Sequence, residues 1–268
     1  MNSFIVDSFT KERFKGNPAA VCILKAELSV ENMQLIASEF NLSETAFIKK
    51  ISEDSYSIRY FSPLQEIDLC GHATLASAKV LFEEEGIKEV VFITSQGLKL
   101  ECQLEGGEIA MLFPLYETSK ADYTPALIKA LGIEKPLNCE YNSENNVLLI
   151  EIEDAKSVQE LSPDFEALIR SHDAINGVAV TAKSTDEYDF YSRYFWPWAG
   201  GNEDPVTGAI HTFLASYWGK RLKKKRMNAY QASSRGGYLN LDILNEKVLK
   251  ISSEAQIILK GILDLSST

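Results

Sequence analysis

Met33, Ile36, Ala37 and Phe40 recur at the spacing of one helix face, with Ser29 placed to cap the start and Asn41 to end it. On either side the pattern changes to short runs of strand character: FIVDSF (4–9), AAVCIL (19–24), TAFIKKI (45–51) and YSIRYF (56–61), with KGNP (15–18) as a turn. A second helix is predicted to open at Cys70–Gly71. Its residues Ala73, Leu75, Ala76, Ala78, Val80 and Leu81 leave it no strongly polar face, so it is expected to be buried, with strands around it. VVFITS, LKLECQL and EIAMLF follow, separated by Gly97 and Gly106–Gly107, and read as a meander. The later chain runs through a helix PALIKALG (125–132), the strand VLLIEI (147–152) and a helix from Ser162–Pro163. It continues with strands GVAVTA (177–182) and DFYSRYF (189–195), a buried helix over 205–218, and NAYQAS, YLNLDIL, KVLKIS and IILKGIL as strands.

This order repeats itself. RYFSP at 59–63 returns as RYFWP at 193–197, 134 positions on in a chain of 268, and each copy runs into a glycine-containing helix start, CGHATLASA from Cys70 and PVTGAIHTFLAS from Pro205. The chain therefore reads as two copies of one unit, each a strongly curved sheet rolled around a central helix. The expected class is α+β with two pseudo-symmetric halves, 1–117 and 118–255, and a final strand within 256–268 that crosses back to the first half. The junction falls in 114–125, with no linker rich in Pro, Gly or Ser.

Composition narrows the function classes. An apolar fraction of 45% and a charged fraction of 24% are those of a soluble globule. A net charge of −11 argues against general nucleic-acid binding, and the basic run KRLKKKR (220–226) is expected to be a solvated turn at a helix end. No apolar run is long enough to span a membrane, the start has no signal-peptide core, and four scattered cysteines suit a reducing compartment, so a cytoplasmic location is expected. Neither zinc-type spacing nor a phosphate loop is present, and no metal, nucleotide or cofactor is inferred.

Candidate chemistry gathers at the two buried helix starts, whose first-turn amides lack partners and carry a partial positive charge. Gly71 would let a ligand approach the first. At the second, Asp204 is expected to cap, Pro205 to take the first helical position, and Thr207, Gly208 and Ala209 to supply open amides. Facing one cleft, two such ends would suit a carboxylate or a developing enolate. The copies also differ. Shifting Glu44 by the repeat gives Val178 or Ala179, so the second half has no carboxylate there; Asp204 falls against Leu69, and Cys70 against Pro205. Glu44 is either a proton carrier or part of a helix capping box begun by Asn41. His72 is either a core histidine or a proton-passing group that the helix dipole keeps neutral. Cys70 is either an activated thiolate or a small buried residue. His172 and His211 read as structural.

GNPAAV, NLSETAF, CGHATLASA and EDPVTGA, in that order along essentially the whole chain, resemble the phenazine-biosynthesis PhzF-type isomerase family, a branch of the diaminopimelate epimerase-like fold. The resemblance implies a barrel-like sheet about a central helix in each half, with the active site in the cleft. It places the catalytic acid/base on Glu44, its partners on His72 and Asp204, and the substrate's acidic group against Gly71, Gly208 and Ala209. Asn17 matches an asparagine that reaches ligand in the wider fold, and Ser43 and Thr207 fall within the same motifs. It further implies a cofactor-free proton shift on a small carboxylate, amino-acid-like or cyclic, and a homodimer. Related epimerases use one cysteine from each half; Cys70 matches the first. A one-thiol epimerase using Cys70, or a binding protein that keeps the fold without turnover, are the alternatives.

Overall fold

A computed structural model describes residues 1–265; part of the expected final strand, 266–268, lies outside the described residues. The chain divides into two compact units, Met1–Leu112 together with the segment from Ser252 on, and Phe113–Ile251. Elements of the first unit run β1 (Asn2–Ser8), β2 (Asn17–Leu24), α1 (Val30–Phe40), β3 (Glu44–Lys50), β4 (Ser55–Phe61), β5 (Glu66–Ile67), α2 (Gly71–Glu84), β6 (Glu89–Thr94), β7 (Lys99–Glu105) and β8 (Glu108–Pro114). Those that follow are β9 (Ser119–Lys120), α3 (Pro125–Leu131), β10 (Asn138–Asn142), β11 (Val147–Glu151), α4 (Ala155–Glu160), α5 (Phe165–Arg170), β12 (Gly177–Lys183), β13 (Phe190–Trp196), β14 (Gly201–Asp204), α6 (Gly208–Leu222), β15 (Arg226–Gln231), β16 (Gly237–Ile243) and β17 (Val248–Ser253). Last comes β18 (Ala255–Ile262), which pairs antiparallel with β1 in the first unit.

The repeat extends to strand direction. In the first unit β1 and β2 are antiparallel, β2 and β3 parallel, β3 and β4 antiparallel, and β4 pairs antiparallel with β5 and parallel with β6, which pairs antiparallel with β7. In the second unit β10, β11, β12, β13, β14, β15 and β16 follow the same sequence of directions. Pseudo-symmetry of the two units is thus a property of the hydrogen-bond ladders as well as of the sequence.

Each central helix is buried nearly all round. In α2, Ala73, Leu75, Ala76, Ala78, Val80 and Leu81 are fully buried, and the helix packs against β1, β2, β3, β6, β7 and β18. Alanines keep the helix thin enough for strands to approach from several sides. Burying Leu75, Val80 and Leu81 contributes roughly 1.5–3 kcal/mol each. Its polar residues are bonded internally: Thr74 and Ser77 return their hydroxyls to the carbonyls of Cys70 and Ala73, and Tyr60 meets the Thr74 hydroxyl. In α6, Trp218 donates to Thr181 and His211 donates from Nδ1 to the carbonyl of Thr207.

His211 provides a pH prediction. Burial pushes its pKa from 6.5 down to about 4, against a smaller upward pull from the Thr207 carbonyl. A base harder to protonate when folded means that the unfolded chain binds the extra proton between those values. Its contribution is therefore complete above pH 6.5 and is lost as pH falls toward 4, by on the order of 3 kcal/mol. Chemical denaturation at pH 7 and pH 4.5 should show a shallower loss for His211→Gln than for the parent; equal slopes would contradict the assignment.

The structure differs from the sequence reading at two helix starts, adds a helix, and decides one alternative. α5 begins at Phe165 with Asp164 as cap, its carboxylate accepting from the Ala167 amide, so Pro163 precedes the cap. α4 goes unread in the sequence because its six residues bury only Val158. α6 begins at Gly208 with Thr207 at the cap position; Asp204 ends β14, and Pro205 lies in the turn between. Strand pairing of Phe195 with Glu203 and Tyr194 with Asp204 holds those residues extended, which overrides an Asp-Pro start signal. Finally, Asn41 is the left-handed C-cap of α1, φ 50°, and Glu44 opens a strand, so the two form no capping box.

Among the described residues no helix is long and apolar enough to cross a membrane. Cations of the basic run have acidic partners nearby: Lys220 with Glu117, Arg221 with Glu140 and Glu151, Lys224 with Asp189 and Arg226 with Asp242. Arg221 also lies over the Tyr217 ring at 3.5 Å.

Candidate active site

Glu44, Cys70 and His72 converge in the first unit. Glu44 is the first residue of β3, opposite Ala19 of β2, while Cys70 caps α2 and His72 sits in its first turn. Glu44 Oε2 lies 3.1 Å from His72 Nε2, with 12% and 8% of the two side chains exposed. That oxygen is buried and receives no hydrogen bond. The pair is close enough for ionic attraction, while Oε2 accepts no well-aligned hydrogen bond.

The other ring nitrogen faces two groups, Asn17 Nδ2 at 3.3 Å and Cys70 Sγ at 3.3 Å. A neutral ring with its proton on Nε2 accepts at Nδ1 from the Asn17 amide, whereas an imidazolium donates from both nitrogens. The Ser8 hydroxyl donates to the His72 carbonyl at 2.7 Å, so both ends of the β1–β2 connection fasten on this residue. Within that connection Gly16 has φ +66°, and a Cβ on it would come within 2.0 Å of the Ser8 carbonyl oxygen, so a glycine is required.

Protonation differs from what helix position alone suggests. His72 is held well above its ordinary value: burial opposes the charge, but the Cys70 sulfur and the Glu44 carboxylate outweigh it. Cys70 is raised, chiefly by burial, with His72 pulling the other way and Glu44 adding to the rise. A thiol so raised is uncharged near neutrality, so of the two upward pulls on His72 only that of the Glu44 carboxylate persists there. Both directions run opposite to the pull of a helix end, through a carboxylate in contact for His72 and through burial for Cys70.

The remaining candidates take these places. Ser43 is half-buried immediately before β3, and Gly71 begins α2, whose cap Cys70 makes no side-chain bond to the first-turn amides. In the second unit Thr207 likewise caps α6 without such a bond, Gly208 is buried and Ala209 exposed. The Thr207 hydroxyl donates to the Asp204 carboxylate. Gln231 was not legible in the sequence: fully buried on β15, it accepts from the Thr207 amide at 2.8 Å and donates to the Asp204 carbonyl at 2.8 Å, clamping the turn before α6.

Ladder register also corrects the matching of the copies. Thr45 opposite Phe61 and Val178 opposite Phe195 equate Glu44 with Gly177, and the two caps equate Cys70 with Thr207 and His72 with Ala209. Glu66 and Glu203, opposite Phe61 and Phe195, equate Asp204 with Ile67. The longer β13–β14 hairpin shifts the frame, which a fixed offset cannot follow. A Cβ at Gly177 would lie 2.5 Å from the Tyr194 ring, so a tyrosine occupies the space that corresponds to the Glu44 side chain. Carboxylate, thiol and imidazole are thus all particular to the first unit.

Glu44, Cys70 and His72 are also a set able to hold a metal ion, each offering one donor atom, all within 4.8 Å of one another. Without an ion, an acid/base pair on a capped helix start is the equipment of proton transfer.

A duplicated sheet-and-helix unit with such a cluster defines a protein of the diaminopimelate epimerase-like class. The profile of the phenazine biosynthesis-like proteins matches residues 6–261, and the chain belongs to that family, known as PhzF. It is 43% identical to an uncharacterized isomerase of Halalkalibacterium halodurans, across 95% of this chain and 96% of the relative. It is 41% identical to a phenazine biosynthesis-like domain-containing protein of Mus musculus, across 97% and 98%. Among solved structures, a PhzF-family protein of Enterococcus faecalis superposes with a TM-score of 0.92 at 40% identity, over 98% of this chain and 99% of that one. At the level of the family, the chemistry is isomerase-type acid/base catalysis.

Proposed function

We propose that the protein is a cofactor-independent isomerase in which Glu44 removes a carbon-bound proton from a small carboxylic acid, amino-acid-like or cyclic, and returns it to another atom of the same molecule. The observation that carries this is the buried, unbonded Oε2 of Glu44 beside His72. A carboxylate oxygen withdrawn from water and left without a donor is poised to accept a proton from a substrate. His72 beside it can offset the carboxylate's charge or pass a proton, and Asn17, 3.3 Å from Nδ1, holds its ring in place. Amides at Gly71 would take the developing negative charge. Roles for Ser43, Asp204, Thr207, Gly208 and Ala209 rest on the family resemblance. Asp204→Asn should lower turnover without lowering the melting temperature, and unchanged turnover would remove it from the mechanism.

A second reading, a one-thiol epimerase, is favoured by the 3.3 Å approach of Cys70 Sγ to His72 Nδ1. The raised pKa of Cys70 argues against it. Cys70→Ala is therefore expected to keep turnover within about 10-fold, whereas loss of a general base costs roughly 100- to 10,000-fold. A loss in that higher range would transfer the chemistry to the thiol.

A further inference from the structure

We propose that Glu44, Cys70 and His72 bind a thiophilic divalent cation of the zinc and cadmium class, and that the bound cation stops proton transfer at Glu44. The donor set is a sulfur, an imidazole nitrogen and a carboxylate oxygen within 4.8 Å of one another. Sulfur and imidazole select zinc and its heavier relatives over magnesium or calcium, which take oxygen. Bond lengths of about 2.0–2.3 Å around a tetrahedral ion place neighbouring donors roughly 3.3–3.7 Å apart. The observed edges are 3.1 Å from His72 Nε2 to Glu44 Oε2 and 3.9 Å from Nε2 to Cys70 Sγ, but Sγ lies nearer Nδ1 at 3.3 Å, so coordination through Nε2 requires the Cys70 side chain to turn toward that nitrogen. Oε2 makes no hydrogen bond that coordination would have to break. Three protein ligands leave a fourth position for water.

Binding balances as proton exchange. The Cys70 S–H bond breaks and a sulfur–metal bond forms, the proton passing to buffer. Nε2 of His72 likewise gives up its proton to expose a lone pair. Oxidation states do not change. Sequence spacing hides the site because two ligands lie two positions apart at a helix start and the third opens a strand 26 positions earlier; only pairing of β2 with β3 beside α2 unites them. Coordination occupies the lone pair that the proposed isomerase would use, so the inhibitory half of the inference rests on that function while the binding half does not.

Cadmium chloride titrated into the metal-free full chain, followed by the ultraviolet thiolate-to-cadmium charge-transfer band, tests binding. One equivalent per chain is expected to saturate the band and to be released by a chelator. The band should vanish in Cys70→Ala and again in Cys70→Ser, with folding checked by circular dichroism. Affinity should fall at least 10-fold in both His72→Gln and Glu44→Gln. A band that persists without Cys70, or undiminished affinity in the other two variants, overturns the site. Zinc chloride added during a proton-exchange assay tests the second half: chelator-reversible inhibition is expected. Binding without inhibition would overturn the blockade, and by implication the role of Glu44, while leaving the site standing.

Discussion

Glu44→Gln is expected to abolish exchange of substrate protons with deuterated solvent while the protein keeps its fold. Glutamine retains the shape of the side chain and its contact with His72 but has no oxygen able to carry a proton away. The expected loss is roughly 100- to 10,000-fold, the usual range for a positioned general base. Folding should survive because Glu44 Oε2 makes no hydrogen bond, so little native bonding depends on it. Its replacement also removes an acidic partner that pulls the His72 pKa up, so the His72 titration should move down, toward its ordinary value. The measurement is deuterium incorporation into a pool of small amino and hydroxy acids, read by mass spectrometry for parent and variant, with the His72 ring followed by NMR. Exchange that continues unchanged in the variant would exclude Glu44 as the carrier, and the isomerase proposal would lose its proton acceptor.

How far the sequence disclosed this arrangement depends on whether a feature is local. α1 is legible because Ser29 and Asn41 close it with side-chain and left-handed caps, and α2 because its apolar residues leave no polar side. Glu44 stands out by comparison of the copies, since no offset near the repeat gives a second carboxylate. What escaped depends on distant pairing. β5, β9 and β14 contain two to four residues each, too few for a periodicity, and exist only because β4, β10 and β13 offer edges to them. Gln231 reaches Thr207 from another strand, with no sign of that in the residues around it. His72 carries a helix-start signature that favours neutrality, yet its neighbour across the strand pairing, Glu44, pulls the other way.

Repetition of Arg-Tyr-Phe has a physical reason that leads to the largest stability effect expected here. Each arginine forks onto a glutamate of the short strand that precedes the central helix: Arg59 to Glu66, 2.7 and 2.7 Å, and Arg193 to Glu203, 2.7 and 2.8 Å. Each also lies over the phenylalanine two residues on, Phe61 at 5.4 Å and Phe195 at 4.9 Å. These forks hold β5 and β14 against their hairpin partners, and so set where the chain enters α2 and α6. Their surroundings differ. Side-chain exposure is 10% and 17% for Arg193 and Glu203, against 29% and 30% for Arg59 and Glu66. Arg193 in addition donates from Nη1 to the carbonyls of Val158, Gln159 and Leu161 at the end of α4, the first of which it shares with the Leu161 amide. Arg193→Met is therefore expected to destabilise the protein by about 3–5 kcal/mol, because it strands a largely covered carboxylate and removes a donor from those carbonyls. Arg59→Met, whose partner is better hydrated, should cost about 1 kcal/mol or less. Thermal and urea melts of both variants distinguish the cases, and equal losses would refute the difference in burial as the cause. Pairing Arg193→Met with Glu203→Met should recover only part of the loss, since the double variant removes the stranded charge but leaves the end of α4 without its donor.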